Sequence, residues 1–301
     1  MRNVGVCGSD YSSIAGKLPF TRFPIVPGHE AAGEVIESAA SGWTLGDRVL
    51  IHPILCDRSD PLFQRGEVHH CATTEVLGVV SRNGAYAEEV VVEDYMLRRL
   101  PDAMDFESAA IVEPVAVAVR AVRQGHMKPG DRVLVLGAGN IGLLVIQVAS
   151  AFGASRVVVT DLLPERLKLA AGLGVDQTVL TSEEFPSTLE NSFDVVIDGV
   201  GKEQTVRQAL SCCARGGRIV VYGVPAGDIT YPLRVAFSKD VTLSTSRLYD
   251  ADFAPAIELI AQGKVKVKDI ITHRTSLGEA PALLGRILDG QEAGIKVMIK
   301  P

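Results

Sequence analysis

Apolar residues beyond about Asp131 come in short β-branched runs separated by longer helical stretches. Arg132-Val133-Leu134-Val135-Leu136 is the first such run. A glycine-rich turn, Gly137 to Gly142, follows it, and then a stretch to Phe152 with helical character. Arg156 to Asp161 reads as a second strand. Pro164 to Leu173 reads as a helix, with Gly174 where a C-terminal glycine belongs. Phe193 to Asp198 and Arg218 to Gly223 are further strands, Gln204 to Ala214 is a helix between them, and Val241 to Thr245 is one more strand. Strands alternating with helices predict a parallel sheet with crossover helices.

Residues 1–118 follow a different pattern. Short strand-like pieces, Gly33 to Ile36, Asp47 to Ile51 and Ala87 to Glu93, are separated by glycine and proline turns. This predicts an irregular β domain. Phe106 to Arg123 reads as one bridging helix. After about residue 247 come two helical patterns, Phe253 to Gln262 and Ala280 to Leu288, and a last strand, Lys296 to Ile299. The expected division is 1–118, 119–246, and a segment 247–301 that returns to the first domain.

The Gly137-Ala138-Gly139-Asn140-Ile141-Gly142 loop stands where a dinucleotide-binding Rossmann fingerprint belongs, between a strand and a helix. Gly137 allows the tight turn, Gly139 lets backbone approach a pyrophosphate, and Gly142 lets the helix pack against the sheet. The N–H groups opening that helix favour phosphate. Asp161 ends the next strand, where a carboxylate accepts hydrogen bonds from the ribose hydroxyls and repels the extra phosphate of NADP. Neither 162 nor 163 is basic. Asn140, Ile141 and Arg166 are counted with the glycines and Asp161 as cofactor-binding, and NAD is the expected cofactor.

The 301 residues are 47% hydrophobic and 22% charged, with a formal net charge of −6. That is ordinary globular composition, and no basic run points to nucleic acid or an anionic membrane. The longest apolar-rich run, Val133 to Phe152, is interrupted by three glycines and does not read as a membrane span. The N-terminus shows no signal-peptide pattern, so the cytoplasm is the expected location. Five cysteines, Cys7, Cys56, Cys71, Cys212 and Cys213, are an odd and sparse set. They read as buried thiols or metal ligands rather than a disulfide framework.

Cys7-Gly8-Ser9-Asp10 and Gly28-His29-Glu30 bring a thiol, an imidazole and a carboxylate, which together are a zinc set. Here the sequence resembles the zinc-containing medium-chain dehydrogenases. The motifs are Val6 to Asp10, Pro27 to Val35, Gly46-Asp47-Arg48-Val49, Gly84 to Glu88, Glu113 to Ala118 and Val133 to Gly142. Glu113-Pro114 points to the branch with sorbitol, threonine and butanediol dehydrogenases. The resemblance implies a GroES-like catalytic domain beside a Rossmann domain. It implies Cys7 and His29 as zinc ligands, Glu30 as a third or exchanging ligand, and Glu113 on the far side of the metal. It further implies that Asp10 orients His29, that Ser9 relays the alcohol proton, and that Arg247 contacts substrate hydroxyls. The expected reaction is hydride transfer from a secondary alcohol of a polyol, sugar acid or related compound to NAD. A small-molecule substrate and a homo-oligomer, dimer or tetramer, go with it.

The sequence departs from the family in two ways. The structural-zinc pattern C-x2-C-x2-C-x7-C finds only Cys71; the other positions fall on Asp57, Asp60 and Phe63, and Cys56 is one residue out of step. His69 and His70 lie nearby, but one catalytic zinc and no structural zinc are expected. The sequence also opens almost at the expected zinc-ligand cysteine, where the family's chains normally begin about thirty residues earlier; either the start is misassigned or the first strands of the catalytic domain are missing. The competing readings are a zinc-free quinone or enone reductase of the same fold and a non-catalytic dinucleotide-binding protein. The joint presence of Cys7, His29, Glu30 and Glu113 argues against the first.

Overall fold

The computed structural model describes residues 1–181, 185, 187–249 and 251–301. The chain divides into two compact units. One comprises Met1–Pro114, Ala256–Ala261 and Val267–Pro301; the other comprises Val115–Pro255 and Gln262–Lys266.

The chain begins with β1 (Asn3–Gly5), α1 (Gly8–Ile14), β2 (Glu30–Glu34), β3 (Arg48–Ile51), β4 (Ile54–Leu55), α2 (Pro61–Gln64), β5 (Glu75–Val76) and β6 (Leu97–Arg99). Helices α3 (Phe106–Ala110) and α4 (Val112–Gln124) follow. Sequence periodicity reads these two as one helix, but the chain breaks at Ile111. Pro114 has no N–H for the carbonyl four residues back, so a new helix starts with the proline in its first turn.

The second unit carries β7 (Arg132–Leu136), α5 (Asn140–Ala151), β8 (Arg156–Asp161), α6 (Pro164–Gly172), β9 (Gln177–Leu180), β10 (Phe193–Asp198), α7 (Glu203–Cys212), β11 (Cys213–Val221), α8 (Leu233–Lys239) and β12 (Thr242–Thr245). Its sheet has the order β12-β11-β10-β7-β8-β9, and every pairing is parallel. The order reverses between β7 and β10, which makes the carboxyl end of β7 the switch point where such sheets bind ligands. Val133 to Leu136 and Val157 to Val159 are buried throughout, because crossover helices cover both faces of a parallel sheet. Leu134, Leu136, Val196, Ile219 and Val221 share one core cluster, at the two-residue period of strands.

After α9 (Phe253–Ala261) the chain supplies β13 (Ile271–Ser276), α10 (Ala280–Leu288) and β14 (Lys296–Lys300) to the first unit. The sheet there runs β13-β14-β1-β2-β3-β6. β1 is therefore an inner strand, antiparallel to β14 and to β2. Val6 packs with Ala280, Leu283, Leu284, Val297 and Ile299 from the returning segment. The strand expected over Gly33 to Ile36 starts earlier, at Glu30, because Gly5 pairs with Glu30. Ala87 to Glu93, expected as a strand, has no ladder partner among the described residues. Its alternating valines serve packing instead, with Val90 and Val92 against the Met96 cluster.

Cys56 and Cys71 form a disulfide, with Cα atoms 6.3 Å apart. The expectation of five unpaired cysteines fails here. The chain from β4 through α2 folds back on itself and brings two distant thiols within bridging range. Cys7, Cys212 and Cys213 are free. Among the described residues no helix is long and apolar enough to cross a membrane.

Candidate active site

In the first unit, β1 runs into Cys7, which caps α1. β2 starts at Glu30, directly after His29. Pairing of β1 with β2 brings the ends of the two segments together. Ligand atoms of Cys7, His29 and Glu30 lie within 4.8 Å of one another. His29 and Glu30 are buried and Cys7 is half-buried. Gly28 makes this approach possible. Its φ is +102°, and a Cβ there would lie 2.5 Å from the Tyr86 ring, so only glycine fits.

Asp10 sits in the first turn of α1, fully buried. Its Oδ2 accepts hydrogen bonds from the Cys7 backbone N–H at 2.8 Å and from the Tyr86 hydroxyl at 2.7 Å. Its Oδ1 faces His29 Nδ1 at 3.6 Å, an ion-pair distance beyond a hydrogen bond. Burial, then the Asp10 charge, holds the Tyr86 phenol protonated well above the usual range. Burial disfavours charge on His29. The charges of Asp10 and Cys7, a hydrogen bond with Cys7 and the charge of Glu113 overcome this and raise the imidazole well above its ordinary value. The pocket thus has a field that favours positive charge.

Three buried atoms in this cluster have no hydrogen-bond partner among the described residues: Asp10 Oδ1, His29 Nδ1 and Glu30 Oε1. Buried polar atoms without partners are costly. Asp10 Oδ1 and His29 Nδ1 face each other, so the cost that a cation held by thiolate, imidazole and carboxylate would answer is that of Glu30 Oε1, and this donor set suits zinc. Glu113, in the first turn of α4, is buried and its charge reaches His29. It is outside the group whose ligand atoms all fall within 4.8 Å. Ser9 is half-buried in the first turn of α1. Two residues of this neighbourhood are not in the expected set. Tyr86 belongs to one of the family motifs, but its residue type alone suggests no role. Lys296, fully buried, donates to Glu30 Oε2 at 2.6 Å; its only trace in the sequence is a charge opening an apolar strand.

In the second unit, Gly137 has φ +98° and Gly139 is the N-cap of α5. A Cβ on Gly142 would lie 1.9 Å from the Gly137 carbonyl oxygen, whereas one on Gly139 would meet nothing within 4 Å. The loop is thus closed on the protein side at Gly142 and open at Gly139. Asn140 and Ile141 open the helix, and the Asn140 Oδ1 is buried with no hydrogen-bond partner among the described residues. Asp161 is buried at the end of β8. Its Oδ2 accepts from the Ala138 N–H at 2.7 Å and its Oδ1 from the Leu163 N–H at 2.9 Å. The carboxylate therefore ties the glycine loop to the second strand. Arg166 approaches it at 3.7 Å. Arg247 is exposed just beyond β12, between buried Ser246 and Leu248, whose φ is +55°.

A zinc-ligand set on a GroES-like sheet and a glycine loop at the switch point of a parallel sheet define a class, the zinc-containing dehydrogenases. Comparison with known proteins agrees. Residues 1–102 match the alcohol dehydrogenase GroES-like domain, and residues 140–262 match the zinc-binding dehydrogenase family. D-xylulose reductase A of Aspergillus oryzae is 32% identical over 99% of this chain and 87% of its own length. L-idonate 5-dehydrogenase of Vitis vinifera is 32% identical over 93% of this chain and 80% of its own. A Sinorhizobium meliloti 1021 structure bound to NADP superposes with a TM-score of 0.91 at 27% identity, covering 100% of this chain and 90% of that one. The chain belongs to the zinc-containing medium-chain alcohol and polyol dehydrogenase family. It is an oxidoreductase that works with zinc and a nicotinamide cofactor, and the zinc-free reading is not favoured.

Proposed function

We propose that this protein oxidises a secondary alcohol within a polyol, sugar acid or related compound, with NAD as acceptor and one zinc per chain. The observation that carries the reading is the Cys7–His29–Glu30 cluster with its unpartnered, buried Glu30 Oε1. Relatives named for xylulose and idonate point to the substrate class. Cys7 and His29 hold the metal with Glu30. When bound, zinc supplies a Lewis acid that acidifies a substrate hydroxyl, and NAD supplies the hydride acceptor. Ser9 takes up the substrate's proton. Asp10 holds the Cys7 backbone and biases the His29 ring, and Tyr86 fixes Asp10 from its other side. Glu113 adds negative charge that favours a cation near His29. Cys56 and Cys71 are bonded to each other and, with Asp60, form a second close group of ligand types; one zinc per chain is expected, and elemental analysis that finds two overturns that count.

Arg247 presents five fixed donors and suits neighbouring hydroxyls of one substrate. A screen of NAD reduction is expected to show a vicinal polyol or sugar acid turned over faster than ethanol, by at least about tenfold in kcat/KM. Arg247→Ala is expected to weaken the polyol reaction much more than the simple-alcohol one. Equal losses make Arg247 structural; failure of every polyol and sugar acid tried, with zinc bound, removes the functional reading.

Cofactor choice follows from Asp161. A carboxylate at the end of β8 repels a ribose phosphate, while Arg166 at 3.7 Å tempers that repulsion. NAD is expected to give the higher kcat/KM. Asp161→Ser is expected to narrow the preference by about 1–3 kcal/mol, the scale of one charged hydrogen-bonding group. A wild-type preference for NADP contradicts the assignment.

A further inference from the structure

Three neighbouring strands, β14, β1 and β2, meet beside the Cys7–His29–Glu30 cluster. Lys296 opens β14, Gly5 ends β1, and Glu30 opens β2 opposite Gly5. The Glu30 side chain crosses over Gly5 to reach Lys296. A Cβ on Gly5 would lie 2.1 Å from Glu30 Oε2 and 3.2 Å from Glu30 Cβ and Cδ. Lys296 Nζ donates to Glu30 Oε2 at 2.6 Å and to the Val6 carbonyl at 3.0 Å. Both charged side chains are fully buried.

A buried ammonium stays only where acceptors replace its water, and a buried carboxylate needs its donors equally. The choice of acceptors is informative. One is an oxygen of Glu30. The other is the carbonyl of the peptide bond that leads into Cys7. A single side chain thereby grips two of the three members of the cluster. Glu30 has two equivalent oxygens, and a free carboxylate can bind a cation through one or both. Here Oε2 is taken and Oε1 has no hydrogen-bond partner among the described residues.

We propose that Lys296 is a positioning residue of the metal site: it occupies Glu30 Oε2 over the gap left by Gly5, offers Oε1 alone to the cation, and fixes the peptide before Cys7. The inference rests on the reading of Cys7, His29 and Glu30 as metal ligands. Glu30 is then a one-oxygen ligand by construction, and the coordination number is kept low enough to leave room for substrate.

The test replaces the metal with cobalt(II) in the full-length protein and records the visible spectrum, which reports coordination number and thiolate ligation independently of turnover. Wild type is expected to show a sulfur-to-cobalt charge-transfer band and intense d–d bands of a four-coordinate ion. In Lys296→Met the carboxylate is free to bind through both oxygens, and the d–d bands are expected to lose intensity and shift to shorter wavelength. Gly5→Ala leaves Lys296 in place but pushes Oε2 away from it, and is expected to change the spectrum in the same direction. Lys296→Arg keeps the charge and is expected to return the bands toward wild type. Circular dichroism checks that each variant is folded; if Lys296→Met is not, the Gly5→Ala spectrum decides. A wild-type spectrum in either folded variant overturns the role of Lys296 alone. A wild-type protein that takes up no cobalt and no zinc overturns the metal reading beneath it as well.

Discussion

Cys7→Ser is expected to strip the protein of its zinc and to lower turnover by at least about a hundredfold, more than loss of an outer partner of a metal ligand costs. The thiolate is the softest donor of the set, and a serine hydroxyl at the same place is a poor ligand for zinc. The remaining members, His29 and Glu30, stay within 4.8 Å of the vacated position but offer one ligand fewer. Elemental analysis after dialysis, with kcat on the best polyol, checks both effects. The control is Cys71→Ser. Cys71 is bonded to Cys56, so its loss is expected to leave zinc content and kcat nearly unchanged. Full zinc and activity in Cys7→Ser, or loss of both in Cys71→Ser, places the metal elsewhere.

Gly142→Ala is expected to weaken NAD binding at least about tenfold and to lower stability by about 1–3 kcal/mol, the usual cost of overpacking. The new Cβ would sit 1.9 Å from the Gly137 carbonyl oxygen and 3.0 Å from its carbon. Both are backbone atoms and no rotamer relieves the contact. Either α5 withdraws from the sheet or the loop opens, and in both cases the N–H groups at the helix start lose their aim. Gly139→Ala makes a useful contrast. Its Cβ meets nothing of the protein within 4 Å, so the melting temperature is expected to hold while NAD affinity falls, the clash arising only with the cofactor. Thermal melts and NAD titration of both variants separate the two cases. Wild-type stability and affinity in Gly142→Ala disprove the close-packing argument.

The second unit is largely legible along the chain. Arg132–Leu136, Arg156–Asp161 and Phe193–Asp198 are strands with the bounds that their composition predicts. The turn, its glycines and the helix behind it are contiguous, so the reasons for each lie within a few residues. The first unit is harder. Its strands are short and its sheet joins segments from both ends of the chain. Alternation alone predicts a strand over Ala87 to Glu93, yet a strand also needs a neighbour, and none pairs there among the described residues.

The candidate metal set shows the same division. That Cys7, His29 and Glu30 are zinc-type donors is a property of residue types, and their motifs carry the family resemblance. Their meeting depends on the register of β1 against β2, in which Gly5 faces Glu30. The partners that hold them are more remote still. Tyr86 reaches Asp10 across 76 positions, and Lys296 reaches Glu30 across 266. No local pattern encodes such a pair, because burial and partnership are decided by strand order and not by spacing along the chain. The Cys56–Cys71 bridge is a further case, with two residues that complete no four-cysteine spacing joined by a fold-back of the chain. The sequence by itself determined the two kinds of domain, the glycine loop between strand and helix, and the donor chemistry. Only the tertiary structure decided which buried charges found partners and which oxygen of Glu30 was left without one, since a buried polar atom is stable only where the packed fold brings a complement to it.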